Sequence, residues 1–216
     1  MKLTVFGATG RTGMEVVRQA LGAGHEVTAV VRDPARLPVH GDRLEVVTVP
    51  DVTDAEALRP YVEGRDAVLS GLGATGRHPG GIAEGSVRAI VRAMESTDGA
   101  RRLVTISAAP VGPVPEGESF VGRRVLFPLI RTILKEVYAD LARSEDELRR
   151  SALDWTALRP GNLANRPFTG RYRKAIGANV PGAGTLGRAD LAAAMLDCVG
   201  DAGTVKQLVG VGVAKA

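Results

Sequence analysis

The sequence predicts an α/β protein: one doubly wound parallel sheet with helices on both faces, in a single domain over residues 1–216. Two observations predict it. The chain opens with an apolar run, residues 3–6, that breaks at Gly7 and passes at once into a helical pattern carried by Met14, Val17 and Leu21. That is the first half of a βαβ unit. Short apolar runs then alternate with helix-period stretches along the rest of the chain, as parallel strands joined by crossover helices require.

The first turn carries the most chemistry. Gly7, Gly10 and Gly13 stand at G-x-x-G-x-x-G spacing. Gly7 permits a tight exit from the strand, Gly10 lets the backbone approach a diphosphate with no Cβ in the way, and Gly13 lets the helix pack close to the strand. The helix start offers free N–H groups and the positive end of its dipole to phosphates. The alternative is a glycine turn that merely joins strand to helix. Its context, with a strand before it and a helix after it, favours the dinucleotide reading.

The second strand, Glu26–Val31, follows a helix stop at Gly22-Ala23-Gly24. In dinucleotide folds its end lies beside the adenosine ribose, where an acid would bond a free 2′-hydroxyl. Arg32 stands there instead, with Arg36 one turn on. A guanidinium fork suits a 2′-phosphate and gains little from a bare hydroxyl. The pair therefore predicts NADP(H) in preference to NAD(H), against the alternative of a solvated loop arginine. Asp33-Pro34 reads as a turn or helix cap.

The third strand is expected at 44–49, with Asp54 as N-cap of a helix over 55–61. Asp51 and Val52 either meet the adenine edge or form a capping turn only. A fourth strand at 67–72 runs into a second glycine cluster ending at Gly76, where backbone approaches a ligand closely. A mobile loop at 77–81 and a helix at 82–96 follow. The fifth strand, 102–107, delivers Thr105, Ile106 and Ser107 to the carboxyl edge, where open α/β sheets bind ligands. Ser107 orients the nicotinamide, polarises a carbonyl, or is a strand-end serine bonded to backbone. The Pro- and Gly-rich stretch 110–117 is a lid or a spacer.

A helical pattern over 122–150 is broken by Pro128, which predicts a short first piece and a long second one over 129–151. The sixth strand, 154–158, ends in Arg159-Pro160-Gly161-Asn162. A small strand is expected at 170–174. The last helix begins at Arg188-Ala189-Asp190, with Asp190 favouring the dipole, and the last strand covers 207–211. Substrate-side elements are placed at about 110–130 and 160–188.

Apolar content of 44% and charged content of 24% are ordinary for a soluble globular chain. The formal charge of +4 comes with far more Arg than Lys. Aromatics are only 4% and no basic run is interleaved with them, so no nucleic-acid partner is expected. The single cysteine, Cys198, lies on an apolar helical stretch and fits a reducing, cytoplasmic location. No leader pattern precedes the first strand and no apolar run spans a bilayer, so no membrane partner is expected either. His25, His40 and His78 lack metal-ligand spacing, which predicts no metal. A Gly-x-Ser-x-Gly elbow and the phosphate-binding lysine motif are absent.

Gly7 to Gly13, Val31-Arg32-Asp33, Asp51-Val52, Ser107 and the run from Leu153 to Pro160 together resemble the atypical short-chain dehydrogenase/reductases. More narrowly, the chain is similar to the NAD(P)H-binding subgroup with the NmrA-like proteins and the biliverdin-IXβ reductase/flavin reductase. The resemblance covers essentially the whole chain and implies a Rossmann fold. It implies that Thr9, Gly10, Arg11, Thr12 and Gly13 meet the diphosphate, Arg32 and Arg36 the 2′-phosphate, and Asp51 and Val52 the adenine. It places Leu72, Gly73, Thr105, Ile106, Ser107, Pro160, Gly161 and Asn162 along the nicotinamide half.

One departure from that superfamily bears on chemistry. Its usual Tyr-x-x-x-Lys pair, in which the lysine lowers the phenol's pKa for acid–base work, is missing. Tyr138 is followed four residues on by Ala142, and the family register falls on Val137 and Leu141. Tyr138 and Asp140 are candidates to line a substrate pocket, Tyr138 alternatively being a packing residue with a wet hydroxyl. The first expectation is therefore an NADPH-dependent reductase of a conjugated acceptor, a flavin, tetrapyrrole or quinone, with Arg77, Arg166, Arg171 and Arg173 as candidates to attract an anionic one. A catalytically silent NADP(H) sensor is the second, and an epimerase or dehydratase relative the third. Either a monomer or a homodimer is expected.

Overall fold

The computed structural model describes residues 1–73 and 80–214. Its first half runs β1 (Lys2–Phe6), α1 (Arg11–Gly22), β2 (Glu26–Val31), β3 (Leu44–Thr48), α2 (Ala55–Val62), β4 (Ala67–Ser70), α3 (Ile82–Glu95) and β5 (Arg102–Ile106). The second half runs α4 (Phe127–Ile133), α5 (Lys135–Arg150), β6 (Asp154–Pro160), β7 (Asn162–Ala164), β8 (Tyr172–Ile176), β9 (Thr185–Gly187), α6 (Arg188–Gly200) and β10 (Gln207–Val213).

Eight strands form the main sheet in the order β3-β2-β1-β4-β5-β6-β10-β8. Every neighbouring pair is parallel except β10 with β8. A separate two-stranded ribbon pairs β7 with β9. The chain turns back between β1 and β4, so a crevice opens at their carboxyl ends, the usual ligand position of a doubly wound sheet.

Burial on both faces follows from side-chain alternation along each strand. Leu3 and Val5 enter one core with Val27, Ala29, Leu69 and Val104, packed beneath α1 and α6. Phe6, Val30, Val68 and Leu103 enter the other, beneath α2, α3 and α5.

Two glycines permit the first crossover to pack as it does. Gly7 has φ +73°, and a Cβ on it would lie 2.9 Å from the Gly71 carbonyl carbon. A Cβ on Gly13 would lie 2.2 Å from the Gly7 oxygen, so α1 is seated directly on the turn that precedes it.

Several boundaries differ from expectation. Pro128 does not break the helix. It follows directly on the π-type turn Gly122–Leu126 at the start of α4, and the interruption falls at Leu134, whose φ and ψ are −112° and 29°. Gly122–Leu126 forms a wide π-type turn ahead of α4. The small strand expected at 170–174 is β8, and it runs antiparallel to β10, closing the sheet edge. The fourth strand stops at Ser70, β6 and β10 run two residues further than expected, and β9 has no expected counterpart. Residues 74–79, with the last three residues of the second glycine cluster and most of the 77–81 loop, lie outside the described residues.

Gly13→Ala is expected to lower unfolding free energy by about 1–3 kcal/mol in a urea titration, the cost of forcing atoms into a filled space. Gly22→Ala, where a Cβ meets nothing within 4 Å, is expected to raise it by about 0.4–1 kcal/mol.

Candidate functional site

The carboxyl ends of β1, β2, β4, β5 and β6 bring the expected cofactor residues to one edge of the sheet. At the end of β1, Gly10 donates its N–H to the Gly7 carbonyl at 2.9 Å, shaping the turn. Gly10 is then the extended N-cap of α1, which has no side-chain cap and no acid in its first turn. The leading amides of α1 are thus left for an anion. Thr9 is half-buried, Arg11 exposed and Thr12 buried at this helix start.

Arg32 leaves β2 into solvent. Asp33 Oδ1 accepts the Ala35 N–H at 3.0 Å and caps a single 3₁₀ turn that carries Arg36. Asp33 is therefore spent as a cap, and neither arginine has an ion-pair partner among the described residues. Asp51 Oδ1 accepts from the Thr53 hydroxyl at 2.6 Å and the Thr53 N–H at 2.8 Å. Those two bonds, the hydroxyl's first, hold its carboxyl below the usual range. The carboxylate shapes the turn ahead of α2, with buried Val52 between it and Thr53, while the cap of α2 is Asp54. Leu72 is half-buried with its backbone N 2.9 Å from where a Cβ on Gly7 would lie, and Gly73 is exposed.

Thr105 and Ser107 are buried and Ile106 half-buried at the end of β5. Ser107 does not present a free hydroxyl. Its Oγ donates to Glu145 Oε1 at 2.6 Å, and its N–H donates to the Leu158 carbonyl at 2.7 Å. Glu145, on α5, is held in turn by Arg159 of β6, whose Nε donates to Oε1 at 2.8 Å and whose Nη2 reaches Oε2. Arg149 adds a bond to Oε2 at 3.2 Å. All three members of the Ser107–Glu145–Arg159 network are buried. With its hydroxyl hydrogen directed at a carboxylate, the Ser107 oxygen is left to accept a hydrogen bond.

Sequence reasoning passed over Glu145 and the partner of Arg159. Two signals pointed to them: an arginine ending the apolar strand run 155–158, and an acid at a core-facing position between Leu141 and Leu148.

Tyr138 lies half-buried on α5, and burial alone pushes its phenol up. No cation lowers it, the opposite of what a Tyr/Lys pair achieves. Asp140 does not line a pocket. Its buried carboxylate accepts the N–H groups of Ala83 at 3.0 Å and Glu84 at 3.2 Å, capping α3 from a distant element. Asp190 accepts from the Thr169 N–H and hydroxyl and from the Gly170 N–H at 2.8–2.9 Å, pinning that loop to α6. Pro160 is buried at the end of β6, Gly161 is half-buried, and Asn162 is exposed with its Nδ2 donating to Thr185 Oγ1 at 3.2 Å.

A cleft of about 370 Å³ opens between the starts of α1 and α6. Arg11, Arg166 and Arg188 line it, with Met14 and Pro167 as apolar wall. Arg188 donates to Asn165 Oδ1 at 2.9 Å, and burial followed by the Arg11 charge lowers its affinity for a proton. Glu15 also lines the cleft, but its carboxylate pairs with Arg18 at 3.0 Å. Of the other arginines proposed for the mouth, Arg173 is tied to the carbonyls of Val213 and Pro181 at 3.0 and 2.6 Å, Arg171 is exposed, and Arg77 lies outside the described residues. A second hollow, near Glu26, Arg43 and Arg65, sits at the amino end of β2, away from all of these residues.

The pattern of the NAD(P)H-binding family matches residues 7–202. The chain belongs to that family. Among its relatives, the uncharacterized protein YwnB of Bacillus subtilis is 28% identical over 209 residues, which cover 91% of each chain. The oxidoreductase ylbE of Lactococcus lactis superposes with a TM-score of 0.82 at 20% identity, over 100% of this chain and 92% of that one. SP1627 of Streptococcus pneumoniae, a candidate NADH-flavin reductase, superposes at 0.77 with 23% identity, over 99% of both chains. These likenesses show the Rossmann-type fold, and the family supplies a nicotinamide cofactor, which the glycine-shaped turn and uncapped start of α1 fit.

Glu145→Ala leaves the Arg159 guanidinium buried without its carboxylate. It is expected to lower unfolding free energy by about 3–5 kcal/mol in a denaturant titration, the usual cost of breaking one side of a buried pair.

Proposed function

We propose that the chain is an NADPH-dependent reductase that passes hydride to a conjugated acceptor of the flavin, tetrapyrrole or quinone type. The observation that carries this reading is the state of the acid–base positions. Ser107 donates its hydroxyl hydrogen bond to Glu145, and Tyr138 has no lysine four residues on and a phenol raised by burial. A simple carbonyl needs a proton delivered as hydride arrives, whereas a conjugated acceptor spreads the incoming charge and takes its proton from water. The balance is then one hydride from the cofactor and one proton from solvent, giving oxidised cofactor and a two-electron-reduced acceptor.

Bound NADPH would supply the hydride. The chain's own part is binding, orientation and exclusion of water. The amides at the start of α1 and the Gly7 turn would hold the diphosphate, and Arg32 and Arg36 would hold the 2′-phosphate. Leu72, Gly73, Thr105, Ile106 and Pro160 to Asn162 border the nicotinamide half. Ser107, as acceptor, would be available to orient the nicotinamide. The cationic cleft at Arg11, Arg166 and Arg188 favours an anionic acceptor. A buried, unpaired Cys198 fits a cytoplasmic location. The same locked Ser107 favours a second reading, an NADP(H) sensor without turnover.

The test follows loss of reduced-nicotinamide absorbance with free flavin, a quinone and biliverdin, each against a no-enzyme control. Consumption of NADPH well above NADH is expected, and silence from a chain that binds NADPH would replace the reductase with the sensor. In binding titrations Arg32→Ala is expected to weaken NADP(H) by about 1.5–3 kcal/mol, the range for hydrogen bonds to charged groups, and to leave NAD(H) nearly unchanged. Equal losses for both cofactors would make Arg32 structural.

A further inference from the structure

Ten large apolar side chains are exposed among the described residues, and six of them fall between 120 and 133. Phe120 is 76% exposed and Val121 64%, while Val125, Leu126, Leu129 and Ile133 are each at least half exposed. Their concentration is not a consequence of a loosely held segment. Phe127, Ile130 and Leu134 turn inward on the other side, and Arg131 donates Nε to the Pro110 carbonyl at 2.9 Å and Nη2 to that of Gly112. The segment is apolar nearly all round but packed on one side only. A helix of that composition is normally buried on every side.

The charges of the same stretch say what covers the bare side. From Ser119 to Lys135 there are four cations, Arg123, Arg124, Arg131 and Lys135, and no acid. Arg124 and Lys135 are exposed and have no ion-pair partner among the described residues. A second copy of this chain is a poor cover, because a two-fold interface sets the same patch against itself and would bring like charges together. An apolar face rimmed by Arg and Lys instead matches the boundary of an anionic bilayer, where acyl chains take the apolar residues and headgroups the cations.

We propose that residues 120–135 form a surface-lying membrane anchor that docks the chain on a bilayer bearing anionic headgroups. Among the described residues no helix is long and apolar enough to cross a membrane. Lying in the interface needs only one exposed apolar face, which the sequence's lack of a spanning run leaves open. Through Arg131 the anchor is tied to the loop that follows β5, so docking holds the Ser107 edge of the sheet close to the lipid surface. The inference stands independently of the acceptor assigned above.

The test is flotation of the whole chain with phosphatidylglycerol-containing vesicles and with pure phosphatidylcholine vesicles, at low and high salt. Association with the anionic vesicles is expected, about tenfold or more weaker on neutral ones and weakened by salt. Leu129→Ser is expected to cost about tenfold, from lost apolar burial in the interface. Arg124→Ala and Lys135→Ala should each cost about fivefold at low salt. Phe120→Ser, at the most exposed position, gives a second apolar variant should Leu129→Ser disturb the fold by circular dichroism. Absence of association by the folded chain overturns the proposal, as does equal association with both vesicle types. A concentration-dependent dimer lost in Leu129→Ser, without vesicle binding, overturns it in favour of a second copy.

Discussion

The architecture depends on how closely two stretches of backbone approach at the first crossover. The Gly7 turn, the start of α1 and the beginning of the segment after β4 meet with almost no side chain between them. That contact seats α1 against the sheet and directs its unpaired amides over the carboxyl ends of β1 and β4. One added carbon at Gly13 would fall well inside van der Waals contact with the Gly7 oxygen, so the approach is all or nothing. The phosphate-facing helix start, the switch point and the burial of Val16 and Val17 are all consequences of it.

A second constraint acts across the nicotinamide half. Glu145 joins α5 to β5 through Ser107 and to β6 through Arg159, and both of these partners are buried. Buried ion pairs contribute less to net stability than to fixing a geometry, since desolvation offsets much of their attraction. Here the geometry fixed is the side-chain hydroxyl at the strand end. Its hydrogen is directed at Glu145, and α5 thereby anchors the ends of both β5 and β6.

Most of the architecture was legible because its signals are local. The Gly7 turn, Arg32 at the end of β2, Asp54 as a cap and the strand–helix alternation each lie within a few residues of what they determine. What escaped depends on partners far away in the chain. Asp140 looked like a pocket residue because nothing near it in sequence reveals the uncapped amides of Ala83 and Glu84. The direction of β8 is set by pairing with β10, more than thirty residues on, and not by its own composition. Pro128 misled in the other direction. A proline breaks a helix through the i→i−4 bond it cannot make, and here a π-type turn, Gly122–Leu126, leads directly into the helix that carries it, so that regular ladder is already interrupted.

The borrowed cap of α3 also bears on the order in which the chain assembles. α2 carries its own N-cap in Asp54, so its first turn is satisfied by neighbours in sequence. α3 begins after Gly80-Gly81 with no side chain of its own to cap it, and its amides are met by a carboxylate 57 residues away. Its first turn therefore frays until α5 has formed and docked, and the loop closed by that contact spans β5 and α4. The beginning of α3 becomes fixed late, together with the placement of α5, and the chain commits to both helices in one cooperative step.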